Sequence, residues 1–123
     1  MANHTPGFLR IVESVKSNIQ EISIEDVCSW QSSKKEFVLI DTREDKEWMM
    51  NRIPGSIHIG KGVIERDIES QVPDANTQIV LYCGGGFRSA LAAYSLVQMG
   101  YKNVYSMKEG IRGWMARSLP IED

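Results

Sequence analysis

Cysteine, proline and charge of one sign are scarce in this sequence, and each scarcity excludes a class of protein. The 123 residues include two cysteines and four prolines. Two thiols in a chain of this length do not form a disulfide scaffold, so we expect a reducing, cytoplasmic environment. The 14 basic and 16 acidic residues give a net charge of -2, which provides no basic excess for binding a nucleic acid.

Long apolar runs are also missing. No stretch approaches the ~18 apolar residues that span a bilayer. The segment Met1 to Pro6 lacks the basic-then-apolar order of a signal peptide. Histidine and cysteine nowhere show the spacing of zinc ligands. We therefore expect no membrane or nucleic-acid partner, no metal and no cofactor.

The apolar pattern predicts one domain in which strands alternate with helices. Two short segments, 37–40 and 79–82, are apolar throughout, which is typical of strands buried on both faces of a parallel sheet. An amphipathic pattern over 7–19 predicts an initial helix, and the Ala- and Leu-rich segment 89–99 predicts another. This order favours an α/β fold with a central, mostly parallel sheet flanked by helices in three layers.

Capping residues predict where two further helices begin. Ser23 precedes an apolar pattern at 24–28 and suits an N-cap. Thr42, with Asp45 three residues later, resembles a capping box and predicts a short helix through Met49. Shorter apolar patterns predict strands at 57–59 and 104–105 and helices at 63–68 and 111–115.

The segment from Leu81 to Ser89 carries the most chemical information. Cys83 lies at the carboxyl end of a predicted strand, where open α/β sheets place their sites. Glycines can turn successive amide groups toward an anion, and a helix N-terminus adds positive potential. These features favour a thiolate, which is the nucleophilic form of cysteine. The candidate substrate- or persulfide-binding loop after Cys83 is Gly84, Gly85, Gly86, Phe87 and Arg88.

Four other kinds of segment share some of these features. The simplest is a buried cysteine before a flexible turn, which the glycines and the arginine disfavour. A dinucleotide fingerprint would need a third small residue, and a Walker loop would end in Gly-Lys-Ser/Thr rather than Phe87-Arg88-Ser89. A cysteine phosphatase also uses a thiolate, a ring of amides and an arginine, so it is the serious rival.

The loop resembles the active-site loop of the rhodanese, or thiosulfate sulfurtransferase, family. Three further segments resemble that family in the same order, and together they cover roughly 21–121. We therefore divide the chain into an N-terminal helical extension, 1–20, and a rhodanese-like domain, 21–123. The matching segments are Asp41-Thr42-Arg43-Glu44 with Glu47-Trp48, Arg52-Ile53-Pro54-Gly55-Ser56-Ile57-His58, and Gly100-Tyr101 through Glu109-Gly110-Ile111-Arg112-Gly113-Trp114.

The resemblance implies a sulfurtransferase in which Cys83 is the catalytic nucleophile. Cys83 would take sulfane sulfur from a small anionic donor such as thiosulfate, become a persulfide, and pass the sulfur to cyanide, a thiol or an acceptor protein. In this family, four residues between Cys and Arg accompany sulfur transfer, whereas five accompany phosphatase activity. This loop has four. A sulfur carrier that serves only a partner protein is the alternative, and a cysteine phosphatase is the third hypothesis.

The resemblance also assigns roles around the nucleophile. The loop amides would hold the terminal sulfur of the persulfide. Arg88 would either attract the donor or order the loop, and Phe87 would either line the site or pack inward. Asp41 and Arg43 are expected as supporting residues that pair with neighbours and hold loops. Arg52 replaces a family histidine at a position that we interpret as structural.

Overall fold

Strands and helices alternate along the chain in the computed structural model, which describes residues 4–123. Within this range, none of the helices has the length and apolarity needed to cross a membrane. The strands are β1 (Gln20–Ile22), β2 (Val38–Asp41), β3 (Ile57–His58), β4 (Gln78–Tyr82) and β5 (Asn103–Met107). The α-helices are α1 (Pro6–Val15), α2 (Ile24–Ser32), α3 (Asp45–Met50), α4 (Ile64–Gln71), α5 (Phe87–Gln98) and α6 (Gly110–Ala116). Short 3-10 helices cover Lys16–Asn18 and Lys61–Val63.

The strands form one sheet in the order β1-β5-β4-β2-β3, and every neighbouring pair is parallel. This confirms the predicted α/β architecture. The apolar runs become β2 and β4, which lie side by side with Leu39 opposite Val80. Because all strands run in one direction, their carboxyl ends, including that of β4, lie along one edge of the sheet.

The two faces of the sheet support separate cores because side chains alternate along each strand. Ile40, Ile79 and Leu81 cluster with buried residues of α4 and α5 on one face. Leu39, Val80 and Tyr82 cluster with buried residues of α2 and α6 on the other. Helices therefore cover both faces, as the apolar character of β2 and β4 predicted.

Helix α1 packs on the outer side of α5 rather than on the sheet. Val12, Val15 and Ala90 form the buried centre of this contact. The helix ends at Val15, earlier than the predicted 7–19, and a 3-10 turn leads into β1. The predicted boundary between residues 20 and 21 stays a prediction, and β1 begins at Gln20.

One predicted helix start is confirmed and one is wrong. Ser23 caps α2 and accepts a hydrogen bond from the Asp26 amide at 3.0 Å. Thr42 does not cap α3, because its hydroxyl donates to the Tyr82 carbonyl at 2.9 Å inside the protein. The N-cap of α3 is Glu44, whose amide donates to Glu47 Oε1 at 3.0 Å.

Candidate functional site

The Cys83 thiol lies where β4 ends and α5 begins. Its side chain is only 1% exposed. The Gly86 amide donates to Cys83 Sγ at 3.2 Å, and the Ser89 amide does so at 3.3 Å. Both amides precede the first i to i−4 hydrogen bond of α5, so the helix leaves them free for an external acceptor. This arrangement stabilises negative charge on the sulfur.

Gly86 is the residue of the loop whose backbone conformation requires glycine. Its φ of 99° lies in the left-handed region, which glycine adopts without steric cost. A Cβ at this position would also lie 3.3 Å from the Glu109 amide nitrogen. The three glycines are therefore not equivalent, since Gly84 and Gly85 do not have a positive φ.

Two buried hydroxyls lie behind the thiol and were not identified from the sequence. Cys83 Sγ is 3.6 Å from Ser89 Oγ, which in turn is 2.7 Å from Ser106 Oγ. Both serines are fully buried. Ser106 comes from β5, the strand next to β4. The sequence signal was weak, because a serine inside a short strand is ordinarily a surface residue.

The start of α6 fixes the loop from the other side. The Ile111 amide donates to the Cys83 carbonyl at 2.8 Å, and the Arg112 amide donates to the Gly84 carbonyl at 3.0 Å. These carbonyls are thereby directed toward α6. The amides of Gly84 and Gly85 have no hydrogen-bond partner among residues 4–123. They remain available to an anion bound at the loop.

Arg88 forms a two-pronged ion pair with Glu47 of α3. Arg88 Nη1 donates to Glu47 Oε1 at 2.7 Å, and Arg88 Nη2 donates to Oε2 at 3.1 Å. These hydrogen bonds are the main reason that the pKa of Glu47 falls from its ordinary value of 4.5 to about 2. The same carboxylate raises the pKa of Arg88. Arg88 therefore ties the loop after Cys83 to α3.

Asp41 and Arg43 form a buried pair away from the thiol. Arg43 Nη2 donates to Asp41 Oδ2 at 2.8 Å and to the Asn51 carbonyl at 2.6 Å. The Arg43 carbonyl lies 2.7 Å from His58 Nε2. These contacts join the turn after β2 to the residue that follows α3 and to β3. Neither side chain lines the pocket at Cys83.

Arg52, which replaces a family histidine, makes structural contacts. Its guanidinium lies 4.6 Å from the centre of the Trp48 ring, and its Nη2 donates to the Trp48 carbonyl at 2.8 Å. It also pairs with Glu122 at 3.2 Å. The Trp48 ring stacks on His58 in turn. Arg52 thus holds α3 and the C-terminal segment together, outside the Cys83 pocket.

A pocket of about 380 Å³ opens over Cys83. Phe87 lines it, and the centre of its ring lies 6.2 Å from that of Phe8 in α1 and 4.4 Å from that of His4, which precedes α1. Phe87 thus lines the pocket and also packs against the N-terminal segment. His4 is also part of the pocket wall. Among residues 4–123, the pocket is lined by His4, Phe8, Glu47, Cys83, Gly85, Phe87, Arg88 and Arg112.

Comparison with known proteins places this site in a family. The family described as Rhodanese-like domain matches residues 24–117. A curated relative, the putative sulfur carrier protein YrkF of Bacillus subtilis, is 31% identical over 83% of this chain, which spans 54% of that protein's length. The thiosulfate sulfurtransferase GlpE of Haemophilus influenzae is 28% identical over 76% of this chain and 88% of its own length.

Solved structures show the same fold. A protein of unknown function and possible tyrosine phosphatase from Rhodopseudomonas palustris has a TM-score of 0.83 and 31% identity, with 99% of this chain and 98% of that chain aligned. A thiosulfate sulfurtransferase from Pseudomonas aeruginosa has a TM-score of 0.81 and 25% identity, with 91% of this chain and 21% of that chain aligned. The family match covers most of the chain and includes the whole Cys83 loop. The chain therefore belongs to the family of rhodanese-like domains.

Proposed function

We propose that this protein is a thiosulfate sulfurtransferase that works through a persulfide on Cys83. The observation that supports this most directly is the thiol itself, which accepts two amide hydrogen bonds at the start of α5. A thiolate is stabilised there and is the nucleophilic form. The names of curated relatives agree with sulfur transfer.

The reaction has two balanced steps. In the first, the Cys83 thiolate attacks the outer sulfur of thiosulfate, a sulfur-sulfur bond forms, and sulfite leaves with the electron pair of the broken bond. In the second, cyanide or a thiolate attacks the terminal sulfur of the persulfide and forms thiocyanate or a new persulfide, while the sulfur-sulfur bond to Cys83 breaks and its electron pair stays on the Cys83 thiolate. The free amides of Gly84 and Gly85 hold the terminal persulfide sulfur as an anion. No external oxidant or reductant is needed.

Intact mass spectrometry tests the proposal. The wild-type protein treated with thiosulfate should gain the mass of one sulfur atom and lose it again after cyanide. Cys83→Ser should gain nothing. Cys28→Ser is the matched control, because Cys28 is partly buried against the apolar cluster of α2 and α6, and this variant should gain the sulfur normally. Modification that follows Cys28 instead of Cys83 would overturn the assignment.

A sulfur carrier that lacks turnover is the second candidate, and the name of the Bacillus relative favours it. Steady-state formation of thiocyanate from thiosulfate and cyanide separates the two. An enzyme turns over many times, whereas a carrier forms one persulfide per chain and discharges it only to its partner. Because Cys83 is 1% exposed, such a partner would need a thiol on an extended segment that enters the pocket.

A cysteine phosphatase is the third candidate, and the description of the Rhodopseudomonas structure raises it. The loop disfavours it, since only four residues separate Cys83 from Arg88. A smaller ring of amides suits a single sulfur anion better than a tetrahedral oxyanion. Hydrolysis of an aryl phosphate that depends on Cys83 would reverse this order of preference.

A further inference from the structure

Arg112 differs from most arginines of the described chain because it has no acidic partner. Among residues 4–123, no carboxylate oxygen lies within 4 Å of its guanidinium, and no hydrogen-bond acceptor is bound to it. Arg10 shares this property but lies on α1, outside the pocket. The arginines with an ion pair are Arg43, Arg52, Arg66, Arg88 and Arg117.

The backbone of Arg112 is fixed beside the nucleophile loop. Its amide donates to the Gly84 carbonyl at 3.0 Å. Its guanidinium lies over the two glycines after Cys83, since a Cβ built on Gly84 would be 3.1 Å from Arg112 Nη1 and one on Gly85 would be 2.5 Å from Nη2. The side chain lines the pocket that contains Cys83. A free guanidinium thus faces the same space as the thiol.

Arg88, the other arginine of this pocket, already forms an ion pair with Glu47. Both of its terminal nitrogens bind the carboxylate of Glu47. The pair is close to neutral in total charge, so it offers a weak field to an incoming anion. Arg112 therefore supplies most of the positive charge on the pocket wall.

We propose that Arg112 binds the oxygen-bearing, anionic end of the sulfur donor while Cys83 attacks its outer sulfur. This inference rests on the proposed function and adds a donor-binding residue to it. A planar guanidinium can donate two parallel hydrogen bonds to an oxyanion. When thiosulfate is the donor, the leaving sulfite keeps two negative charges, and Arg112 stabilises them in the same place. The pocket thereby selects donors by their charge.

The test compares two donors that carry the same outer sulfur and differ in charge. Thiosulfate is a dianion, and methanethiosulfonate is a monoanion that leaves as methanesulfinate. The initial rate of persulfide formation on Cys83 is followed by intact mass. We expect Arg112→Ala to lower the rate about tenfold with thiosulfate and about threefold with methanethiosulfonate, because the attraction scales with donor charge.

Two further variants separate charge from structure. Arg112→Lys keeps the positive charge but lacks the planar guanidinium with its two parallel donors. Its rate of persulfide formation should fall less than that of Arg112→Ala with either donor. Arg66→Ala removes the same charge from an exposed site on α4, and its rates should equal those of wild type. Added salt should slow the wild-type reaction with thiosulfate more than that of Arg112→Ala. Circular dichroism checks that each variant is folded.

The outcomes distinguish this inference from the proposed function. If the wild-type protein forms no persulfide with either donor, the proposed function itself is refuted. If persulfide forms and Arg112→Ala is unchanged, or loses the same factor with both donors, only the role of Arg112 is overturned. A loss that grows with donor charge and is reduced in Arg112→Lys supports it.

Discussion

The ion pair between Glu47 and Arg88 makes a quantitative prediction about stability. A pKa lowered from 4.5 to about 2 corresponds to about 3 kcal/mol in favour of the charged carboxylate. The two side chains are 32% and 31% exposed, so solvent screening reduces the net stabilisation to about 1–2 kcal/mol. We expect Glu47→Gln to lower the free energy of unfolding by that amount at pH 7.

The pH dependence has a defined sign. Because folding lowers the pKa of Glu47, the stabilisation of the folded state by this ion pair is fully present above pH 4.5. It is lost as the pH falls toward 2. Glutamine does not titrate. The difference between wild type and Glu47→Gln should therefore be constant near neutral pH and shrink below pH 4.5. Urea unfolding at a series of pH values measures it, and Glu36→Gln, which alters an exposed carboxylate before β2, serves as the control.

The same variant separates the two roles considered for Arg88. If Arg88 mainly orders the loop, its release in Glu47→Gln slows persulfide formation. If Arg88 mainly attracts the donor, its unpaired charge speeds the reaction with thiosulfate. The structure favours the first role, so we expect a slower rate. A faster rate, or a stability difference that does not depend on pH, would refute the reasoning.

Three other predictions concern the packing around the loop. Gly110→Ala would place a Cβ against the Cys83 carbonyl oxygen. We expect this variant to lose ~2 kcal/mol or more of unfolding free energy and to form persulfide more slowly. Gly62→Ala is the control, because its Cβ would point into open space, and it should change neither quantity. Gly86→Ala places a side chain at a φ of 99° and should cost about 1–2 kcal/mol in urea unfolding, with a matching fall in transfer rate. Ser106→Ala removes a buried hydroxyl hydrogen bond and should lower the unfolding free energy by about 1 kcal/mol; an unchanged midpoint would contradict it.

The features that the sequence predicted well are those written in local patterns. The apolar runs of β2 and β4 indicated buried parallel strands, and the order of strand, cysteine and glycines indicated a loop that leads from a strand into a helix. Ser23 was correctly predicted as an N-cap because its partner, the Asp26 amide, lies only three residues later in the sequence. Thr42 fitted a capping pattern equally well, but its hydroxyl donates a hydrogen bond to the Tyr82 carbonyl of β4 instead. A local pattern cannot reveal such a competitor, because β4 lies far away in the sequence.

The features that were missed depend on contacts between distant segments. Strand β1 has three residues and no alternation of apolar and polar side chains, so only its pairing with β5 defines it. The amides of Ile111 and Arg112 meet the Cys83 loop because α6 follows the strand beside β4. Because β4 and β5 end at the same edge of a parallel sheet, the segments that follow them are neighbours, and this proximity is a signal that the sequence does carry.

Helix α1 contributes to the wall of the Cys83 pocket but not to the groups around the thiol. The thiol and its amides lie within the segment that matches the family, 24–117, whereas Phe8 and His4 lie before it. Changes in α1 can therefore widen or narrow the entrance, or change its charge, without altering the thiol and the amides of the Cys83 loop. Relatives that share the Cys83 loop but differ in this first helix would then present the same thiol and loop amides to differently shaped molecules.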